Sequence, residues 1–179
     1  MDDLLLDACV AINVVASGAD LDELADASSV RFVMTSVAAA EALWLAPLVP
    51  GGDREIIDVG GLVSSGALAL LDLLDDELNQ FVSFAREIDD GEAATFAVAT
   101  SRGLTVATDD RRAQRLASAI VPPISIIGTT QLLRTWVDVN GVPPDRVAEV
   151  VRSVERRASY IPRRDDAHFT WWVAHRESP

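Results

Sequence analysis

Short apolar runs rich in aliphatic residues alternate along this chain with longer segments whose apolar positions recur at helical spacing. Leu4–Asp7, Arg31–Met34, Leu68–Leu71, Leu104–Thr108 and Ile124–Ile127 read as five strands. Ala8–Ser17 reads as a helix ended by Gly18, and Leu21–Ala27 as a short acidic one. Thr35 or Ser36 caps a third helix, expected to run to about Leu45 before Pro47 and Pro50 stop it. Further helices are expected over Asp53–Ser64, from Asp75 to about Arg86, over Gly91–Ser101 with Gly103 as its stop, and over Asp109–Ala119, Thr129–Val139 and Asp145–Arg157. Strands separated by helices predict βαβ units. The expected fold is therefore α/β, an open parallel five-stranded sheet flanked by helices in three layers.

Residues 1–160 read as one domain, and 161–179 as a C-terminal tail carrying Trp171 and Trp172. Two adjacent tryptophans cannot both face one core from a regular element. The tail is therefore a candidate interface for a homo-oligomer or another partner. Its alternative is a tail folded over its own domain.

Against this pattern, a few acids stand in apolar settings. Asp7 ends LLLDACVAI, Glu41 interrupts VAAAEALWLA, Glu92 opens GEAATFAVA, and Asp109 and Asp110 close LTVATDDRR. The first three are expected to be buried or nearly so, with Glu41 in mid-helix. An isolated buried carboxylate is strongly disfavoured unless its charge is compensated. The chain contains no lysine, and no arginine lies in those three segments. A shared divalent cation is the natural compensator. Ligands of an open parallel sheet bind beyond the carboxyl ends of its strands. Asp7 and Asp109–Asp110 fall at two such ends, and Glu41 and Glu92 on neighbouring helices, so all can converge on one edge.

Composition narrows the chemistry further. The absence of lysine excludes a P-loop in its usual form, and also the receiver and phosphoaspartyl phosphatase sites that begin with an Asp-ending strand. No G-x-G-x-x-G and no G-x-S-x-G is present. His168 and His175, the two histidines, both lie in the tail, which leaves a His-based triad or zinc site unsupported. What remains is an all-carboxylate site, whose hard oxygens select Mg²⁺ or Mn²⁺. The single cysteine, Cys9, reads as a small core residue. With an acidic N-terminus and no long apolar stretch, it predicts a cytoplasmic protein with no membrane partner. Net charge is -13, which opposes the simplest nucleic-acid-binding reading. Arginines nevertheless gather in the second half, including Arg111, Arg112 and Arg115 beside the acids.

The segments LLLDACVAI, TSVAAAEAL, DDGEAATFAVATSRGLTVATDDRRAQRLA and ISIIGT, spread over Leu4 to Leu133, together resemble the PIN domain nucleases. The resemblance rests on their order, spacing and apolar settings. It implies a metal-dependent endoribonuclease, a hydrolase of RNA phosphodiester bonds, with Asp7, Glu41, Glu92 and Asp109 as catalytic metal ligands and Asp110 as a fifth. The adjacent pair Asp109–Asp110 looks most like one branch of that family. Toxins of the virulence-associated protein C type more often separate these acids by one residue. Which of the two aspartates is the main ligand thus stays open, and assignment to a toxin is weakened. Thr108 is a candidate for positioning phosphate or water, and Arg111 and Arg112 for contacting RNA phosphates. Asp89 and Asp90 read as loop and cap residues. Two alternatives accompany this reading. One is a toxin held inactive by an antitoxin protein. The other is a catalytically silent binding module, which the negative charge favours.

Overall fold

A computed structural model of the chain describes residues 1–41, 43–49 and 51–177. The five apolar runs form one all-parallel sheet: β1 (Asp2–Leu6), β2 (Val30–Thr35), β5 (Ala69–Leu71), β6 (Thr105–Ala107) and β7 (Ile126–Ile127), in the order β5-β2-β1-β6-β7. Two further two-residue strands, β3 (Trp44–Leu45) and β4 (Glu55–Ile56), pair antiparallel outside it. In β1 the unbroken run Leu4-Leu5-Leu6 is buried throughout, as expected of a central strand covered on both faces. Because side chains alternate across a strand, Leu4, Leu6, Phe32 and Met34 enter one hydrophobic layer, and Leu5, Val33 and Val106 enter the other.

The first layer holds α1 (Ala8–Ser17), α2 (Leu21–Ala27), α8 (Thr129–Asn140), α9 (Pro144–Arg157) and α10 (Phe169–Arg176). The second holds α5 (Leu78–Phe84), α6 (Asp90–Arg102) and α7 (Arg111–Ala119). The remaining helices are α3 (Ser36–Ala39) and α4 (Val59–Ser65). The fold class read from the sequence is therefore the one present: an open three-layer α/β fold. Among the described residues no helix is long and apolar enough to cross a membrane.

Gly18 and Gly103 end α1 and α6 in the left-handed region, at φ 64° and 67°, where a Cβ is unfavourable. The third helix departs from expectation. Thr35 caps it, accepting from the Ala38 N–H, but α3 stops at Ala39. The chain then turns at Ala40–Glu41 and enters the β3–β4 hairpin, where Trp44 pairs with Ile56 and Ile57 N–H donates to Leu43 O. Tertiary pairing overrides the helical preference of the alanine run. The same hairpin replaces the first half of the helix expected over Asp53–Ser64, leaving α4 to begin after its N-cap Asp58. Ala42 and Pro50, in and after the expected third helix, lie outside the described residues, as do tail residues 178–179.

The tail packs on its own domain. Trp172 is fully buried in the first layer, its indole N–H donating to Glu155 Oε1 at 2.8 Å, while Trp171 is half-buried against it. Thr130 on α8 donates to Asp166, which also accepts from the His168 N–H at 2.7 Å.

Candidate active site

From β1 the chain steps outward to β2 and β5, and from β6 it steps outward to β7 on the opposite side. The order reverses between β1 and β6, and a crevice forms at such a switch point beyond the carboxyl ends of the strands. Leu6 is in register with Ala107, so Asp7 and Thr108 emerge side by side at that point. The Asp7 N–H donates to Ala107 O, which carries the strand pairing one step past β1.

Asp7 is 4% exposed. Its Oδ2 accepts from Thr108 Oγ1 at 2.7 Å and from the Cys9 thiol at 3.1 Å. Burial raises its pKa above the usual carboxylate value, and the Thr108 and Cys9 hydrogen bonds oppose that rise only in part. Thr108 is itself buried, and its oxygen also accepts from the Asp110 N–H at 3.1 Å. The hydroxyl thus links the two strand ends instead of facing an open crevice. Cys9 is half-buried, and burial beside Asp7 drives its thiol far above the ordinary range, so it acts as a neutral donor.

The two consecutive aspartates face different surroundings. Asp109 Oδ1 accepts from the Thr129 N–H at 3.0 Å and Tyr160 Oη at 3.2 Å. Its Oδ2 accepts from Asn13 Nδ2 at 2.9 Å and Thr129 Oγ1 at 2.5 Å. A carboxylate has about four lone-pair sites, and these four donors occupy them. Gly128 permits the approach, since a Cβ there would stand 2.9 Å from Asp109 Oδ1. Asp110 is exposed and caps α7, with Oδ1 accepting from the Arg112 and Ala113 N–H groups.

Glu41 and Glu92 meet at the N-terminus of α6. Glu41 is exposed as a residue and lies in a turn, contrary to the buried mid-helix position expected of it. Its carboxyl end nevertheless lies against Gly91, whose N–H donates to it. A Cβ on Gly91 would fall 1.8 Å from Glu41 Oε1 and 3.3 Å from the Ala38 backbone, so glycine is what admits both. Glu92 is half-buried one residue on, and its N–H donates to the α6 N-cap Asp89. Burial and then the charges of Asp7, Asp89, Asp110 and Glu41 push its carboxyl up to about 8. Glu41 is raised for the same reasons, by burial first and then by Asp89 and Asp7.

The chain therefore brings Asp7, Glu41, Glu92 and Asp110 into one electrostatic field, together with Asp89. It turns Asp109 toward Asn13, Thr129 and Tyr160. Among the described residues, no three Asp, Glu, His or Cys side chains stand close enough as placed to hold a metal ion. The donor chemistry still suits one, being all hard oxygen, and the charges acting most strongly on Glu92 are all carboxylates. Arg111 and Arg112 are exposed at the start of α7.

Sequence reasoning passed over Asn13, Thr129, Tyr160, Gly91 and Gly128, and read Asp89 only as a cap. The one available signal was Gly128–Thr129 directly after the last strand, where a helix N-terminus meets a strand end. A recess of about 320 Å³ opens beside these residues, lined by Cys9, Ile12, Asn13, Asp109, Asp110 and Tyr160 among others. No family model, curated protein or solved structure matches the chain.

Proposed function

We propose that this protein is a divalent-metal-dependent endoribonuclease, using Mg²⁺ or Mn²⁺ to hydrolyse RNA phosphodiester bonds. One observation carries the reading. Each of the charges acting most strongly on Glu92 is another carboxylate, at the topological switch point of a parallel sheet. Repulsion of that kind is relieved by protonation or by a bound cation, and no arginine stands among the charges acting most strongly on Glu92. The resemblance to PIN domain nucleases supplies the expectation of RNA, and the arginines of α7 beside the acids agree with it.

Asp7, Glu41, Glu92 and Asp110 would hold the metal. Asp109 is better suited to positioning, since four donors already occupy its oxygens. Through Thr129 and Asn13 it fixes α8 and α1 against the end of β6. Thr108 and Cys9 orient the Asp7 carboxylate. Gly91 seats Glu41 against the helix N-terminus, where the α6 dipole favours negative charge. A cation held there would supply polarisation of a phosphodiester oxygen and activation of a water for in-line attack. Glu92, pushed up to about 8, would give its proton to solvent on taking a cation.

The test is cleavage of single-stranded RNA by the purified chain with Mg²⁺, with Mn²⁺ and with a chelator, alongside Glu92→Gln. Cleavage that needs the metal and is lost in Glu92→Gln is the expected result. RNA left intact with both metals, or a Glu92→Gln protein cutting at the parental rate, overturns the proposal.

A further inference from the structure

The outer face of α7 repeats polar residues at helical spacing: Arg111, Gln114, Arg115 and Ser118. Arg163, from the segment following α9, faces them across a recess of about 330 Å³ that these five residues line. All three arginines are exposed. Arg111 and Arg163 share one carboxylate, Asp165, at 3.6 and 3.4 Å. Arg115 has no ion-pair partner among the described residues. The chain carries 28 acids against 15 arginines, so a guanidinium cluster with a single acid among it runs against the composition.

We infer that this groove binds successive phosphates of a single-stranded RNA and leads the strand to the acid cluster. The inference rests on the nuclease reading above and deepens it by naming where the strand lies. Three features favour RNA over an acidic protein. The groove begins at Arg111, one residue from Asp110, so a strand leaving it at that end meets the carboxylates that act on Glu92. A phosphodiester can pass them by sharing the cation, whereas an acidic side chain would compete for it. Residues four apart on a helix rise about 6 Å along its axis, comparable with the separation of neighbouring phosphates on one strand. The guanidinium fork also matches phosphate oxygens in pairs.

The experiment titrates a labelled single-stranded RNA onto the full chain by fluorescence anisotropy at several salt concentrations. It is run in chelator, and again with Ca²⁺. Arg115→Ala, Arg163→Ala and their double variant are compared with Arg146→Ala. Arg146 donates to Gly18 O at the end of α1 remote from Asp7, and serves as the distant control. Each groove substitution is expected to weaken binding and to lower the slope of log affinity against log salt by about 0.7, the share of one phosphate contact on a single strand. Arg146→Ala is expected to leave the slope unchanged. Parental slopes in the double variant overturn the inference, as does absence of RNA binding under both conditions. So does tighter binding of a polyglutamate peptide through the same arginines. Metal-dependent cleavage with unchanged KM in the double variant would sink the groove and leave the nuclease reading standing. Arginine-dependent binding by a chain that never cleaves would do the reverse.

Discussion

The two ends of α6 treat a carboxylate in opposite ways. At its C-terminal end Arg102 reaches Glu77, whose side chain is 0% exposed. Arg102 Nε donates to Oε1 at 2.7 Å and Nη2 to Oε2 at 2.9 Å, while the Leu74 N–H donates to Oε2 as well. The guanidinium holds Glu77 below the usual carboxylate range. At the N-terminal end the Glu92 carboxyl is more open to solvent, yet it is pushed up to about 8, first by burial and then by its acidic neighbours Asp7, Asp89, Asp110 and Glu41. Solvent exposure therefore does not by itself fix the direction of a carboxylate's shift. Glu77 is compensated by a cation of the chain's own. The charges acting most strongly on Glu92 are all carboxylates.

Breaking the first end should have the largest effect. Arg102→Ala removes the partner of Glu77 and partly uncovers that carboxylate, so the cost is expected near about 3 kcal/mol, the low end for breaking a buried pair. Chemical denaturation should show a midpoint well below the parent, and an unchanged midpoint would remove the contrast between the two ends.

The two aspartates after β6 offer the next test. Asp109→Asn turns an acceptor into a donor facing groups that already donate, which should destabilise by about 1–3 kcal/mol. Asp110→Asn keeps a good helix N-cap and should stay within about 0.5 kcal/mol of the parent. If Asp110 binds the metal, that variant loses cleavage and metal-induced stabilisation all the same. Equal stability losses in the two variants would contradict the division between them.

Stability against pH separates the ends by sign. Glu92 has a folded pKa of about 8 against an ordinary 4.5. Between those values the folded chain holds more protons than the unfolded one, so stability falls as pH rises through that window. Glu77 is lowered, so its contribution is fully present above the ordinary value and is lost as pH falls through the folded one. Metal-free melts from pH 4 to 9 should therefore decline toward high pH, and Glu92→Gln should flatten that limb alone. A parental decline persisting in Glu92→Gln would assign it to other groups.

A small stability change is expected at Gly91. Alanine is the better helix former by about 0.5–1 kcal/mol, but its Cβ would occupy the place of Glu41 Oε1. The Ala38 backbone, 3.3 Å from that Cβ, must also give, which offsets the helix gain; Gly91→Ala should fold within about 1 kcal/mol of the parent and lose most cleavage. Retained cleavage would show that the seat of Glu41 on α6 is dispensable.

Asp7 and Glu92 were legible because their settings are local: a strand end and a helix start are both written in neighbouring residues. Glu41 was legible as an acid of interest but not as a turn residue. Its position depends on Trp44 finding Ile56 and on Gly91 making room, and Ile56 and Gly91 lie 15 and 50 positions beyond Glu41. The tail was open between interface and self-packing, and the hydrogen bond from Trp172 to Glu155 ties it to its own domain.

The sequence by itself determined the five strands, most of the helices, the glycines that end them and the candidate acids, because apolar periodicity and capping act over a few residues. Only the tertiary structure decided which acids share a field. It paired Glu77 with Arg102, gave Asp109 to Asn13, Thr129 and Tyr160, and left Asp7, Asp89, Asp110 and Glu41 acting together on the charge of Glu92. Compensation of a charge depends on what lies within a few ångströms of it, and those neighbours come from strands and helices far apart in the chain.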